Sequence, residues 1–450
     1  MTEKHLFIQT IGCQMNIYDS RQIECLMSEN GYRIVDAADQ ADLIIVNTCA
    51  IRDKAEQKLY SLLGRLAPIK KRRPETILAV GGCVAQQEGN ALLTRVPYLD
   101  LVFGTHALSR VPELVTRVAS TQARIVDVGI HSIHEQLPAK QVPGTEKEIS
   151  RFVTIMRGCD NFCSYCVVPY VRGRETSRSP DRIVEEIKAL VADGIREVTL
   201  LGQNVNSYGN KEGLITFPEL LAKVNDIDGL LRIRFTTSHP KDLSDSLIES
   251  FERLQKLCPH IHLPIQSGSD EILGRMKRRY TKNTFTEGVS RLRERCAGIA
   301  LTSDIIVGFP GETEAEFQMT LDLIQEIRFD GLFAFKYSDR PNASAAGYSD
   351  KVPEKEKARR LQILLDLQQK ITLEKNQALA GTEQIVLVEG VSRMSETNDI
   401  QWTGRAPNNK IVNFTTRKTV PQGKGGLIGS QVKVKIQKGL LHSLLGKMLS

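Results

Sequence analysis

Arg151-Phe152-Val153-Thr154-Ile155-Met156-Arg157-Gly158-Cys159-Asp160-Asn161-Phe162-Cys163-Ser164-Tyr165-Cys166 is an apolar run that breaks at a glycine and then delivers three cysteines in eight residues. Residues 151–156 read as a strand, and the glycine ends it. Downstream the unit repeats, with strand patterns over 197–201, 231–237, 260–263, 299–307 and 331–337. Apolar-periodic helices lie between them, including 181–192, 244–257, 281–296 and 313–327. Ser179-Pro180 supplies a cap and a first-turn proline for the first of these. Six successive βα units predict an open, partial (β/α)6 barrel rather than the eight-unit form.

Working outward, residues 1–122 alternate strand patterns (6–10, 42–47, 76–80, 100–103) with helix patterns such as 19–29 and 54–66. That alternation predicts a parallel α/β domain. Residues 123–148 are polar and aperiodic and read as a linker, leaving 149–378 for the barrel. A long charged helix over 354–379 leads out of it. Beyond, 379–450 carries short strand patterns (383–391, 410–414, 431–436) punctuated by Pro421-Gln422-Gly423 and Gly425-Gly426, the pattern of a small β-barrel.

The 450-residue length suits about three domains of roughly 150 residues each. No stretch approaches the ~18 uninterrupted apolar residues of a membrane span, and the first residues lack an apolar signal core, so a cytoplasmic protein is expected. The net charge is +7, and residues 381–450 carry +6 of it: Arg393, Arg405, Lys410, Arg417, Lys418, Lys424, Lys433, Lys435, Lys438 and Lys447 against Glu383, Glu389, Glu396 and Asp399. A basic module on a near-neutral body is the footprint of a polyanion binder, although a solvated basic surface gives the same count.

In the reducing cytosol nine cysteines argue for metal binding or catalysis rather than disulfides. Cys159, Cys163 and Cys166 place three thiolates in one loop after a strand, as iron–sulfur clusters require. Zinc in a closed structural site would want a fourth ligand, and no Cys or His follows within thirty residues. Three ligands on a four-iron cluster leave one iron open to a substrate. Cys13, Cys49 and Cys83 are spaced too widely to form a local motif, yet each lies one to three residues past a predicted strand. Strand carboxyl ends are where open parallel sheets gather ligands, so the trio suits a second cluster, with the flanking glycines admitting a bulky cofactor. Cys25, Cys258 and Cys296 lie on or near helix ends and read as small core hydrophobes.

The Cys159–Cys166 spacing, with an aromatic before the last cysteine, resembles the signature of the radical S-adenosylmethionine (SAM) superfamily. The whole chain resembles its methylthiotransferases. The matching segments are Gly12-Cys13-Gln14-Met15-Asn16, Asn47-Thr48-Cys49-Ala50-Ile51-Arg52, Gly82-Cys83-Val84-Ala85-Gln86, Arg157 through Glu175, Leu201 through Tyr208, Thr237-Ser238-His239-Pro240, Leu263 through Ser269 and Asp304 through Thr313. Thr403-Gly404-Arg405 and Asn409 through Phe414 resemble a TRAM domain. Asp160-Asn161-Phe162 and Gln203-Asn204-Val205-Asn206 resemble the subgroup that acts on N6-isopentenyladenosine in tRNA. One departure is Asn342-Ala343-Ser344, which stands where the family usually has Gly-Thr-Pro.

The resemblance implies two 4Fe-4S clusters, two SAM molecules, and methylthiolation of C2 of that adenosine beside the tRNA anticodon. SAM on the central cluster would generate the radical, and the N-terminal cluster would hold the sulfur to be methylated and transferred. An electron donor and a sulfur donor are implied partners, together with the anticodon stem-loop. Tyr165 would pack near the SAM adenine. Gly202, Gln203, Asn204, Ser238, His239, Gln266, Ser267 and Asp304 lie at or near barrel strand ends and are the expected SAM contacts, each weighed against a satisfied structural hydrogen bond. The basic barrel would grip RNA through Trp402, Arg405, Asn409 and Lys410, with base stacking on Trp402 contributing about 1–3 kcal/mol. Trp402 as core of a small barrel is an equal alternative. Lys70-Lys71-Arg72-Arg73 could add phosphate contacts or form a solvated face. Competing functions are a sister methylthiotransferase for threonylcarbamoyladenosine or a ribosomal-protein aspartate, and a non-catalytic iron–sulfur RNA-binding protein.

Overall fold

A computed structural model describes residues 3–50, 53–130, 148–392, 400–416 and 426–449. Strands β1 (Lys4–Ile11), β2 (Tyr32–Ile34), β3 (Leu43–Thr48), β4 (Ile77–Gly82), β5 (Leu101–Phe103) and β6 (Ile125–Asp127) form a parallel sheet in the order β2-β1-β3-β4-β5-β6. β3 and β4 are buried at every residue, as central strands covered on both faces must be. β6 lies inside the segment read as linker. Only three residues pair with β5, too few to show a period in sequence, and the Gly104 amide donates to the Asp127 carbonyl at 2.8 Å to fix them. Residues 131–147 of that segment fall outside the described residues, as do Gly425, Pro421 to Gly423, and the basic residues Arg393, Arg417, Lys418 and Lys424.

The central domain runs through β7 (Ser150–Thr154), the short β8–β9 hairpin (Met156–Arg157 and Thr176–Ser177), β10 (Glu197–Leu201), β11 (Arg232–Thr236), β12 (His260–His262), β13 (Ala300–Val307) and β14 (Gly331–Lys336). The six expected barrel strands are all present and parallel within their sheets, in two halves, β7-β10-β11 and β12-β13-β14. Backbone bonds around Ile233 join the halves: its N–H donates to the Lys256 carbonyl (2.7 Å), and its carbonyl accepts from Cys258 N–H (2.9 Å). Helices Pro180–Ala192, Phe217–Asn225, Asp245–Arg253, Lys282–Arg295 and Glu314–Ile327 alternate with the strands. Their apolar faces share one core with the sheet, including Ile187, Leu221, Phe285 and Ile324. Each such side chain contributes about 1.5–3 kcal/mol by leaving water.

Helix Glu354–Gln377 leads to a closed barrel of β15 (Glu383–Val391), β16 (Gln401–Arg405), β17 (Ile411–Thr415), β18 (Gln431–Gly439) and β19 (Leu444–Met448). Its turn after β16 docks against the amino ends of the central strands. The Arg234 guanidinium donates to the carbonyls of Ala406 and Pro407 (both 2.9 Å) and pairs with Glu197 (3.0 Å), while Arg232 donates to the Ile385 carbonyl (2.9 Å). The small barrel therefore occupies the lower end of the central barrel and leaves the carboxyl ends of its strands to ligands. Among the described residues no helix is long and apolar enough to cross a membrane.

Candidate functional site: two thiolate tripods at one barrel mouth

Register brings the first trio together. Ile11 pairs with Thr48 and Thr48 with Gly82, so Cys49 and Cys83 directly follow aligned residues and Cys13 lies two beyond Ile11. The Cys49 amide donates to the Ile11 carbonyl at 3.1 Å. Cys13 caps helix Gln14–Glu29, and Cys83 opens helix Cys83–Glu88. Beneath them Asn16 Nδ2 donates to Asn47 Oδ1 (3.1 Å) and to the Thr48 carbonyl (3.0 Å), while Asn47 Nδ2 donates back to the Asn16 carbonyl (2.9 Å). The glycines have a different use from the one expected. A Cβ on Gly82, whose φ is +92°, would strike Asn47 and Thr48, and one on Gly12 would strike Asn16 and Cys49. They let strand ends close on one another rather than open space for a cofactor.

A hydrogen bond with the Cys49 thiol, helped by Arg172 and the Asn16 and Met15 amides, overrides burial and lowers the Cys13 thiol to about 6. Burial raises Cys83, with the Arg172 charge opposing it. Arg172, from the central domain, is itself buried and pairs with buried Asp19 at 2.8 Å. A thiolate held beside a guanidinium at a helix start is the environment that favours metal ligation.

The second trio is local. Its loop is clamped by Cys159 N–H to the Gly173 carbonyl (3.3 Å), Ser164 N–H to the Met276 carbonyl (3.1 Å) and Ala345 N–H to the Ser164 carbonyl (2.8 Å). The last clamp follows Asn342, whose φ of +66° makes a left-handed turn there. The Val168 amide donates to Cys166 Sγ, and Arg278 Nη1 donates to Cys163 Sγ, both at 3.4 Å. Arg278 also reaches the Tyr165 hydroxyl (3.3 Å), the Tyr280 hydroxyl (2.8 Å) and the Pro264 carbonyl (2.7 Å). Burial pushes Cys159 up to about 11 and Cys166 up to about 12. Among the described residues no group of three or more His, Cys, Asp or Glu is arranged to hold a single metal ion. A cluster differs, because each thiolate binds a different iron and the ligands stand further apart.

The start of helix Gln14–Glu29, with Cys13 beside it, packs on the carboxyl end of β10. Met15 and Tyr18 pack on Leu201, the last residue of β10, with Cys13 and Phe152 beside them, and the Thr154 hydroxyl reaches the Met15 sulfur at 3.8 Å. The barrel mouth carries an unusual set of unsatisfied groups. Gln203 Oε1, Asn204 Oδ1, Ser238 Oγ, His239 Nε2 and Gln266 Oε1 are buried without a partner. A buried polar atom left unpaired costs about 1–3 kcal/mol, so five near the strand ends mark a place built for a polar ligand. Thr237 and Gln266 also hold left-handed backbone (φ +71° and +76°), strain of about 1–3 kcal/mol each that clusters at functional sites. His239 Nδ1 accepts from the Lys241 amide at 3.3 Å, so its proton lies on the free Nε2, and burial lowers its pKa and keeps the ring neutral.

Other expected residues are placed differently. Ser267 is fully buried and accepts from Ser269 N–H (3.2 Å) beside Thr320, a structural bond within the barrel wall. A Cβ on Gly202 would strike Met156, so its role is packing. Asp304 pairs with His262 at 3.4 Å inside the barrel. Trp402 is 5% exposed, in the small-barrel core with Val386, Val412 and Phe414, and offers no face to a base. Arg405 binds Glu389 (3.2 Å) and Asn409 (3.2 Å), and Lys410 binds Asp330 (3.3 Å), so the expected RNA contacts sit at the docking seam instead. Lys70 and Arg73 are likewise engaged, with Asp100 (2.7 Å) and Asp42 (2.9 Å). Cys25 and Cys258 are buried and Cys296 half-buried, as small hydrophobes are. The sequence assigns no role to Arg172, Asn16 or Asn47, although all three lie inside segments that match the family, and Arg278 lies outside every such segment, nine residues past Ser269.

Three family models match the chain: "Uncharacterized protein family UPF0004" over 5–104, "Radical SAM superfamily" over 153–324 and "TRAM domain" over 377–449. Among solved structures, a radical S-adenosylmethionine methyltransferase, TsrM, from Kitasatospora setae shares the fold at TM-score 0.58 and 14% identity, covering 77% of this chain and 74% of that one. The cobalamin-dependent radical enzyme OxsB does so at 0.52 and 12%, covering 82% and 56%. Curated relatives are far nearer. A tRNA-2-methylthio-N(6)-dimethylallyladenosine synthase of Desulfosudis oleivorans is 56% identical over 98% of this chain and 96% of its own length. Proteins of the same name from Syntrophus aciditrophicus and Geobacter sulfurreducens are each 50% identical over the whole of this chain and 95% and 99% of theirs. With half or more of its residues shared along essentially its full length, the chain belongs to the radical SAM family of tRNA-2-methylthio-N(6)-dimethylallyladenosine synthases.

Proposed function

We infer that the protein is a tRNA methylthiotransferase that converts N6-isopentenyladenosine, beside the anticodon, to its 2-methylthio derivative. The observation that supports this most is that Cys13 packs with Met15 and Tyr18 against Leu201 at the carboxyl end of a barrel strand, while Arg172, six residues after Cys166 in sequence, pairs with Asp19 of the N-terminal domain. Transfer to one base needs both sites within reach of it. When bound, SAM on a 4Fe-4S cluster at the central trio supplies hydrogen abstraction, and a second cluster at the N-terminal trio supplies the methylthio group.

The chain's own residues do the rest. The unpaired atoms of Gln203, Asn204, Ser238, His239 and Gln266 receive the polar groups of SAM, with the neutral His239 ring donating from Nε2. Tyr165, held by Arg278, packs at the edge of that space. Arg278 and the Val168 amide hold the Cys163 and Cys166 thiolates against solvent competition. An electron donor and a sulfur donor complete the set of partners.

The tRNA backbone has a better partner than the seam residues. Lys433, Lys435 and Lys447 are exposed on the outer face of β18 and β19, and Lys435 lies directly opposite Lys447 in register. Like charges facing each other across strands are destabilising, and a phosphate between them removes the penalty. The test incubates anaerobically reconstituted protein, dithionite and SAM with tRNA containing N6-isopentenyladenosine, and reads nucleosides by mass spectrometry. The 2-methylthio product is expected. Intact clusters with neither that product nor 5′-deoxyadenosine would refute the assignment.

A further inference from the structure

Val168–Arg172 is a five-residue helix that begins and ends on chemistry. Its first amide donates to Cys166 Sγ at 3.4 Å, and its last residue carries a guanidinium into the N-terminal domain. There Arg172 Nη2 donates to Asp19 Oδ2 at 2.8 Å, with the arginine 5% and the aspartate 1% exposed. The helix is pinned by the Thr105 hydroxyl, which donates to the Val171 carbonyl at 2.6 Å, and it packs on the helix opened by Cys83. Arginine does not lose its proton in proteins, so a full positive charge is buried here. Arg157 lies 3.9 Å from the other Asp19 oxygen, which has no hydrogen-bond partner. Two cations thus face one carboxylate, and besides Asp19 the groups whose charge acts on Arg172 are Cys83 and Cys13 of the trio.

We propose that Arg172 is the positioning residue of the N-terminal tripod: delivered by the central domain, its guanidinium balances and orients the iron–sulfur group on Cys13, Cys49 and Cys83, and so ties that site to the Cys166 loop. This rests on the reading that the trio holds a cluster. Partners of this kind govern metal affinity by about 10–100-fold when removed. They also act on redox behaviour with a definite sign. A positive charge stabilises the added electron, so R172Q moves the midpoint potential of this site negative, whereas D19N, which removes the opposing charge, moves it positive. R172K keeps the charge but loses the planar fork, so its potential stays near the parent's while its iron is held less firmly.

The experiment uses the full chain with Cys159, Cys163 and Cys166 all changed to Ala, so that only the N-terminal site can load. Potentials are read by anaerobic titration followed by electron paramagnetic resonance, and iron retention by competition with a chelator. Opposite shifts for R172Q and D19N, with a 10–100-fold loss of retention in R172Q, are expected. Shifts in one direction for both, or none, would reduce Arg172 to a structural contact and overturn the proposal. If the parent triple variant takes up no iron, it is instead the cluster assignment of the trio that fails.

Discussion

The two cysteine trios are assembled by opposite routes. The central one is written in eight consecutive residues and held by a loop whose amides bond to neighbouring segments. The N-terminal one is assembled by sheet register from three strand ends and needs an asparagine pair and two tightly packed glycines to close. Each has one buried arginine. Arg278 comes from within the central domain and touches Cys163, whereas Arg172 crosses from the central domain to the N-terminal trio. A local trio can therefore form with its own domain, while the assembled one is complete only when two domains are docked.

The largest effects test that division directly. C49A should abolish methylthiolation, a loss of at least 1000-fold, on the order of what removing an essential catalytic group costs. It should leave SAM cleavage to 5′-deoxyadenosine intact. C163A should abolish both. Nucleoside and 5′-deoxyadenosine assays on the two variants decide it, and loss of cleavage in C49A would show that the trios do not act separately.

Next come the glycines. Gly82 and Gly158 both hold positive φ (+92° and +72°), and a Cβ at either meets backbone. G82A and G158A should each cost about 1–3 kcal/mol in backbone strain, before any overpacking. The comparison predicts that each variant loses roughly half its iron, from its own trio alone, while the other trio remains loaded. Iron analysis with Mössbauer spectroscopy would separate the sites, and loss of all iron from either variant would mean that the trios fold as one unit.

What could be read from the sequence follows the same line. Residues 151–166 announce both a strand and a site because the information is local, and the barrel strands follow from simple periodicity. Cys13, Cys49 and Cys83 are legible from the strand ends they follow and the segments around them, since their spacing has no meaning by itself. Burial decided by tertiary packing was not legible. Trp402 looks like a stacking residue until β16 and β17 close around it, and Arg405 to Lys410 look free until Arg234 and Asp330 meet them. Ser267 and Gly202 adjoin groups that remain unpaired yet face Thr320 and Met156 instead, a difference of one residue in direction. The lysines of β18 stood out only as charge, and alternation in a closed barrel is what puts them outside.

A smaller effect separates the arginine roles on RNA-binding grounds from those of the lysine row. K435Q with K447Q should reduce the slope of log affinity against log salt by about 0.7–0.9 for each phosphate that the protein no longer neutralises. R172Q, buried between the trios, should leave that slope unchanged. Filter binding of tRNA across salt concentrations would show it, and an unchanged slope in the lysine variant would move the RNA surface elsewhere.

The smallest effect concerns protons. A thiol must lose its proton before it ligates iron, so cluster loading releases protons and strengthens as pH rises. Cys159 and Cys166, held up at about 11 and 12, are protonated throughout the neutral range and must each give up a proton on loading. Cys13, lowered to about 6, is already a thiolate above that pH and gives up none. Between pH 7 and 9 the log of iron affinity should therefore climb more steeply for the central trio than for the N-terminal one. Chelator competition at several pH values, on one variant with the central cysteines replaced and another with Cys13, Cys49 and Cys83 replaced, compares the two slopes. Removing Arg172 should steepen the N-terminal slope, because its charge is among the influences that hold Cys13 down. Equal slopes in both parents would mean that the two trios differ in how they are built but not in how their sulfurs are poised.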